Sequence, residues 1–173
     1  MEVALPSCIK KYKPLKITDT GLKAAAIIIR RHRLSEMFLS QIMGFGWEEV
    51  HDIAEEMEHL SSTILFDRMD EILGFPTRDP HGSPIPDKNG NFDPPNYKPL
   101  SHYKSGKFVL KALQESSSEF IKFLNNKKIS LGTTIEITYL EEFDKSMIVS
   151  YSDQEDITLS DDVCSRLLVE EKG

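Results

Sequence analysis

The side chains best suited to chemistry in this sequence are His51, Glu55, Glu58 and His59. On a helix each residue advances by about 100°, so relative to His51 the other three stand at roughly 40°, −20° and 80°. All four fall within an arc of about 100°. The bulky apolar residues of the same stretch, Ile53, Met57, Leu60 and Ile64, point elsewhere. One helix face is therefore dense in imidazole and carboxylate, and a separate face is apolar. His32 and Glu36, four residues apart in the preceding segment, form a second such pair. Neutral imidazole and carboxylate together suit manganese, ferrous iron, cobalt, nickel and zinc. Spacings of three and four residues let one helix offer several donors to one ion. Two helices packed side by side would bring His32, Glu36 and His51 together, with Glu55, Glu58 and His59 one to two turns along, so two neighbouring ions are expected. The alternative is a wet helix surface. Glu48, Glu49, Asp52 and Glu56 crowd the same run, and a His–Glu pair at this spacing is a common, weak helix contact. Geometry alone leaves both readings open.

No catalytic residue is expected. The His-Glu-x-x-His order of zinc proteases is absent, no serine or cysteine nucleophile stands beside a base, and no glycine-rich phosphate loop occurs.

Several elements must position these side chains. Thr18-Asp19-Thr20-Gly21 is a helix start, and the spacing predicts a helix from about Leu22 to Met43, ended by Gly44 and Gly46. Its apolar run over Ala24–Ile29 needs burial on more than one side, which in a small protein points to a subunit interface as well as a core. A second helix is predicted from Trp47 to about Leu73, stopped by Gly74, Phe75 and Pro76. Residues 76 to 100 hold seven of the nine prolines and read as a linker. From Ser101 onward the pattern is a small, mostly β domain. Glu115 to Asn125 is a helical candidate, and strands are expected at 135–139, 147–151 and 167–169. The division is thus 1–21, 22–75, 76–100 and 101–173, in an α+β fold that ends in a small barrel.

The bulk numbers narrow the class. A net charge of −7 over 173 residues argues against autonomous nucleic-acid binding. The one basic stretch, Lys10, Lys11 and Lys13 around Tyr12, could track a phosphate backbone, or be a solvated edge strand. No apolar run is long enough to span a bilayer, and no signal peptide stands at the start, so a cytoplasmic protein without a membrane partner is expected. Cys8 and Cys164 lie too far apart in sequence for a CxxC pair and read as free thiols.

The text from His32 to Pro86 resembles the iron-dependent-repressor family, which includes the diphtheria toxin repressor and the manganese transport regulator. The matching stretches are Arg30-Arg31-His32-Arg33-Leu34-Ser35-Glu36, Trp47-Glu48-Glu49-Val50-His51, Glu55-Glu56-Met57-Glu58-His59-Leu60, Arg68-Met69-Asp70, and Asp79-Pro80-His81-Gly82-Ser83-Pro84-Ile85-Pro86. Upstream, Tyr12 to Gly21 resembles the family's wing strand and its step into the dimerisation helix. Downstream, Ile129 to Val169 resembles the Src-homology-3-like, FeoA-like barrel of iron-transport and repressor proteins.

The resemblance implies a metal-dependent transcriptional repressor of metal-homeostasis genes, with a helical metal-binding and dimerisation domain followed by the small barrel. His32, Glu36 and His51 match the family's ancillary metal site, and Gln114 a further ligand position from the barrel, although Lys111 falls where a neighbouring acidic ligand is expected. Glu55, Glu58 and His59 match the primary, activating site. Manganese-responsive members carry a glutamate at the Glu55 position and iron-responsive ones a cysteine. The implied cofactor is manganese or ferrous iron, with zinc, cobalt or nickel able to bind in vitro. The implied partner is a second copy, through residues 22–73. The family begins with a winged helix-turn-helix, whereas only about twenty residues precede the dimerisation helix here. Residues 1–21 are therefore expected to be a remnant of that module, and operator DNA to be met only where the module is present. The rival expectations are a shortened partner that heterodimerises with a full-length member, and a metal-dependent enzyme.

Overall fold

The computed structural model describes residues 17–93 and 95–172. Lys10, Lys11, Lys13 and Cys8 lie outside the described residues. Helix α1 spans Asp19–Gln41. It starts where the capping signal places it, with the Thr18 hydroxyl accepting from the Gly21 N–H at 3.1 Å. Ala26, Leu34, Met37 and Leu39 are buried, while Ile27, Ile28 and Ile29 keep 36–38% of their surface exposed.

The single helix predicted over 47–73 is two helices, α2 Val50–Glu58 and α3 Thr63–Ile72. The break lies at Ser61-Ser62. Serine competes with the helical backbone for hydrogen bonds and favours a cap, and the Ser62 hydroxyl accepts from the Leu65 N–H at 3.4 Å. His59 consequently ends α2 as its C-cap.

The segment from Pro84 to Gly90 runs along α1 rather than away from it. Arg30 Nη1 donates to the Pro86 carbonyl at 3.1 Å, and Arg33 donates to the Pro84 carbonyl. Ile85 is buried with Leu34, Met37, Phe66 and Met69. A segment with no hydrophobic period is thus fixed in place through its carbonyls. The buried Arg30–Asp70 pair, at 2.6 Å, joins α1 to α3 beneath it.

The β unit begins at Lys98, slightly before the expected residue 101. Strands β1 Lys98–Pro99, β2 Gly106–Leu113, β3 Thr134–Leu140, β4 Met147–Tyr151, β5 Gln154–Leu159 and β6 Leu167–Glu171 form one antiparallel sheet in the order β1-β6-β2-β3-β4-β5. Helix α4, Ser118–Asn126, buries Phe120, Ile121 and Leu124 against it, and the short α5, Asp161–Arg166, precedes β6. The architecture is α+β, as expected. Sequence periodicity does not reveal β2 or β5. β5 is a polar edge strand (Gln-Glu-Asp-Ile-Thr-Leu) whose pairing is supplied by β4. Phe108, Leu110, Ile135, Val149 and Leu167 sit in the shared core at 1% exposure or less. Truncating an aromatic in such a core costs about 3–5 kcal/mol.

The helical and β units meet at the turn over residues 79–83. Gly82 has φ +85°, and a Cβ there would stand 2.1 Å from the Lys111 carbonyl oxygen, so glycine is required by both conformation and space. The Leu113 N–H donates to the His81 carbonyl at 2.9 Å.

Candidate metal centre

One turn of α1 places His32 and Glu36 on the same face, and α2 packs His51 and Glu58 opposite them. Glu36 is 1% exposed. Its Oε1 lies 3.0 Å from His32 Nε2, 3.4 Å from His51 Nδ1 and 3.6 Å from His81 Nδ1. Three imidazoles thus converge on one carboxylate oxygen. Asp79 completes the surroundings, with Arg33 Nε 3.3 Å from its Oδ2, while its Oδ1 accepts from the His81 and Ser83 N–H groups at 2.9 Å. These residues form two overlapping sets of donors, His32/Glu36/His51 and Glu36/Asp79/His81, with the donor atoms of each set within 4.8 Å of one another. Opposed ligands of one first-row ion stand about 4 Å apart, so little movement is needed to close either set on an ion.

Burial opposes charge on Glu36, His32, His81 and Asp79, and neighbouring groups override that penalty for the first three. For Glu36, burial pushes the pKa up, but the hydrogen bond from His32 and the nearby charges of His81 and His32 hold it down to about 2. For His32, burial lowers the pKa, yet Glu36 and Glu58 raise it above the ordinary histidine value. For His81, burial is likewise outweighed by Glu36, the Trp47 carbonyl and Asp79. Asp79 is the exception: burial and the nearby Glu36 charge both raise its pKa.

His81 carries the clearest sign that a cation belongs here. Its Nε2 is 2.9 Å from the Trp47 carbonyl oxygen. A carbonyl can only accept, so in the neutral ring Nε2 bears the proton and Nδ1 bears the lone pair. Nδ1 is buried without a hydrogen-bond partner, and 3.6 Å from a carboxylate oxygen is outside hydrogen-bond range. A positive ion between Nδ1 and Glu36 would satisfy both. The residues present therefore fit a divalent metal.

The other predicted residues are placed differently. Glu58 faces back to His32, with Oε2 2.8 Å from Nδ1. Glu55 and His59 are exposed and belong to neither donor set among the described residues. Gln114 is exposed, at the edge of a cavity of about 300 Å³ that it shares with His32, Glu36, Glu58 and Asp79. Lys111 turns to Glu170, 3.1 Å away. Asp79 and His81 escape the spacing argument. Their sequence signal is the Asp79–Pro86 stretch that carries the family resemblance, which gives no ligand role to either residue.

Residues 18–87 match the family described as iron dependent repressor, metal binding and dimerisation domain. The iron-dependent repressor IdeR of Mycobacterium tuberculosis is 40% identical over 72 residues, covering 42% of this chain and 31% of that protein. A probable metal transport system membrane protein of Chlamydia trachomatis is 40% identical over 77 residues, covering 44% of this chain and 17% of its own. The chain thus spans less than a third of the length of these curated relatives. The solved structure of a manganese-dependent transcriptional repressor in complex with manganese superimposes with a TM-score of 0.82 at 32% identity, over 90% of this chain and 74% of that one. With helices, sheet and sequence all aligned over that span, the chain belongs to the family of iron- and manganese-dependent transcriptional repressors of the diphtheria toxin repressor type.

Proposed function

We propose that this chain is the metal-sensing and dimerising part of a repressor of metal-homeostasis genes, with manganese or ferrous iron as co-repressor. The observation that carries the reading is the buried, unpartnered Nδ1 of His81 facing the same Glu36 oxygen that two other imidazoles approach. His32, Glu36, His51, Asp79 and His81 would hold the ion, and Gln114 stands at the cavity edge as a further donor. When bound, the ion supplies positive charge that links α1, α2 and the 79–83 turn. Glu36 enters this role already ionised, and the Trp47 carbonyl keeps the His81 lone pair directed inward. Mixed carboxylate and imidazole donors without thiolate favour manganese or ferrous iron over softer ions. Glu55, Glu58 and His59 are proposed for a second, activating site.

Dimerisation is proposed through residues 22–73. Leu22 on α1 and Ile64, Leu65 and Ile72 on α3 present apolar side chains to solvent, a surface that a second copy would cover. Metal would act by linkage, favouring the arrangement that binds operator DNA where a DNA-reading module is present. No enzymatic step is assigned to the site.

The chlamydial relative favours a second reading, in which the same module senses metal for a transport protein. Metal-dependent binding of operator DNA by the whole protein would separate the two.

The test of the metal reading is thermal unfolding with and without manganous ion, for the parent and for Glu36→Gln. A ligand specific to the folded state adds about 2.7 kcal/mol at a hundred times its Kd. The expected result is a clear rise in Tm for the parent that is lost in Glu36→Gln. No rise in the parent would reduce the cluster to a polar core network.

A further inference from the structure

We propose that Trp47 is a positioning residue that couples metal occupancy at the Glu36–His81 centre to the placement of the β unit, its carbonyl fixing the His81 imidazole and its indole binding Asn125 of α4. The inference rests on the metal reading above.

Trp47 precedes α2 in a non-helical turn and touches both units. Its carbonyl oxygen is 2.9 Å from His81 Nε2, and its ring stacks on the same imidazole at 5.9 Å and 25°. Its indole N–H donates to Asn125 Oδ1 at 2.9 Å, and the ring packs against the core of the β unit. His81 is held by the β unit from the other side, through its own carbonyl and the Leu113 N–H of β2. The imidazole is therefore clamped between two attachments to the sheet domain, and Trp47 supplies the one that ends on its ring.

The inner edge of that ring carries the unpartnered Nδ1. An ion drawing Nδ1 toward Glu36 pulls on the hydrogen bond at the opposite edge, and so on the Trp47 peptide. Partners of this kind, one bond removed from a metal ligand, commonly set both its orientation and the metal affinity. Here the partner is a backbone carbonyl whose own side chain is anchored on a different unit. Asn125 is the place to cut the connection, because it touches no candidate ligand.

The experiment uses the full chain and manganous ion alone. Free manganese is counted by its electron paramagnetic resonance signal, and amide hydrogen exchange is followed in peptides covering Ser118–Asn126. Manganese binding to the parent is expected to slow exchange in α4. Asn125→Ala, and independently Trp47→Phe, which keeps the carbonyl but lacks the indole N–H, are expected to lose that slowing and to weaken manganese binding by up to about tenfold. Asn125→Asp, which still accepts from the indole, is expected to restore both. Manganese binding that leaves α4 exchange unchanged in the parent overturns the coupling while sparing the metal reading, and so does full coupling in both Asn125→Ala and Trp47→Phe. Failure of the parent to bind manganese at all overturns both.

Discussion

His32 Nδ1 lies 2.8 Å from Glu58 Oε2, while the Nε2 of the same ring lies 3.0 Å from Glu36 Oε1. The imidazole is thus spanned by two carboxylates from different helices, and both nitrogens face an acceptor. That arrangement favours the doubly protonated ring in the metal-free chain. Glu58→Gln removes one of the two negative charges, so the His32 pKa is expected to fall toward its ordinary value. Proton NMR of the imidazole against pH, in the metal-free parent and variant, measures this. An unchanged titration would mean that Glu58 does not act on His32 in solution.

The same cluster sets a pH window for the metal-free chain. Glu36 has a folded pKa of about 2, well below its unfolded value of 4.5, so its contribution is present above pH 4.5 and lost as pH falls through about 2. Its size is about 3 kcal/mol, shared with its histidine partners rather than additional to theirs. His32 and His81 have raised folded values. Their contribution is full below the unfolded value of about 6.5 and lost as pH rises through the folded value. The chelated chain is therefore expected to be most stable between roughly pH 4.5 and 6.5 as far as these groups decide it, and manganese to restore stability above that window. Melting temperatures from pH 3 to 9, with chelator and with manganese, test both limbs.

Arg30 and Asp70 form a pair with 8% side-chain exposure each, and Arg30 also holds the Pro86 carbonyl. Asp70→Ala leaves a buried guanidinium without its counter-charge, an effect that costs about 3–5 kcal/mol. Urea unfolding of Asp70→Ala is expected to show a loss of that order. A loss under about 1 kcal/mol would be the mark of an exposed pair instead.

Cys164 is buried, and burial together with the charge of Asp161 pushes its thiol pKa up to about 12. The thiolate is the reactive form, so the folded chain is expected to leave Cys164 unmodified by iodoacetamide at pH 8, with labelling only in denaturant. Mass spectrometry of the peptide containing Cys164 reads this directly.

What was legible in the sequence follows the range of the interactions involved. The approach of His32, Glu36 and His51 rests on helical spacing and on two adjacent helices, both local features. The helix break at Ser61-Ser62 is also local and readable from capping chemistry, but the charge pattern of the run hides it. Asp79 and His81 are another matter. Their placement depends on Arg30 and Arg33 holding the carbonyls of Pro86 and Pro84, and on Gly82 fitting against Lys111, contacts that span about thirty to fifty-five residues of sequence. No periodicity announces such contacts. β5 is hidden for a related reason, since a polar edge strand takes its conformation from its neighbour.

The donors converging on Glu36 span the chain from His32 to His81. An ion held by Glu36 and His81 would be a removable cross-link that closes a loop of about forty-five residues containing α2 and α3. By the loop-closure relation, a permanent link of that length takes about 4 kcal/mol of entropy from the unfolded chain. Where metal binds as proposed, its removal would leave the central helices more open to proteases, so the ion would protect the chain as well as occupy the site.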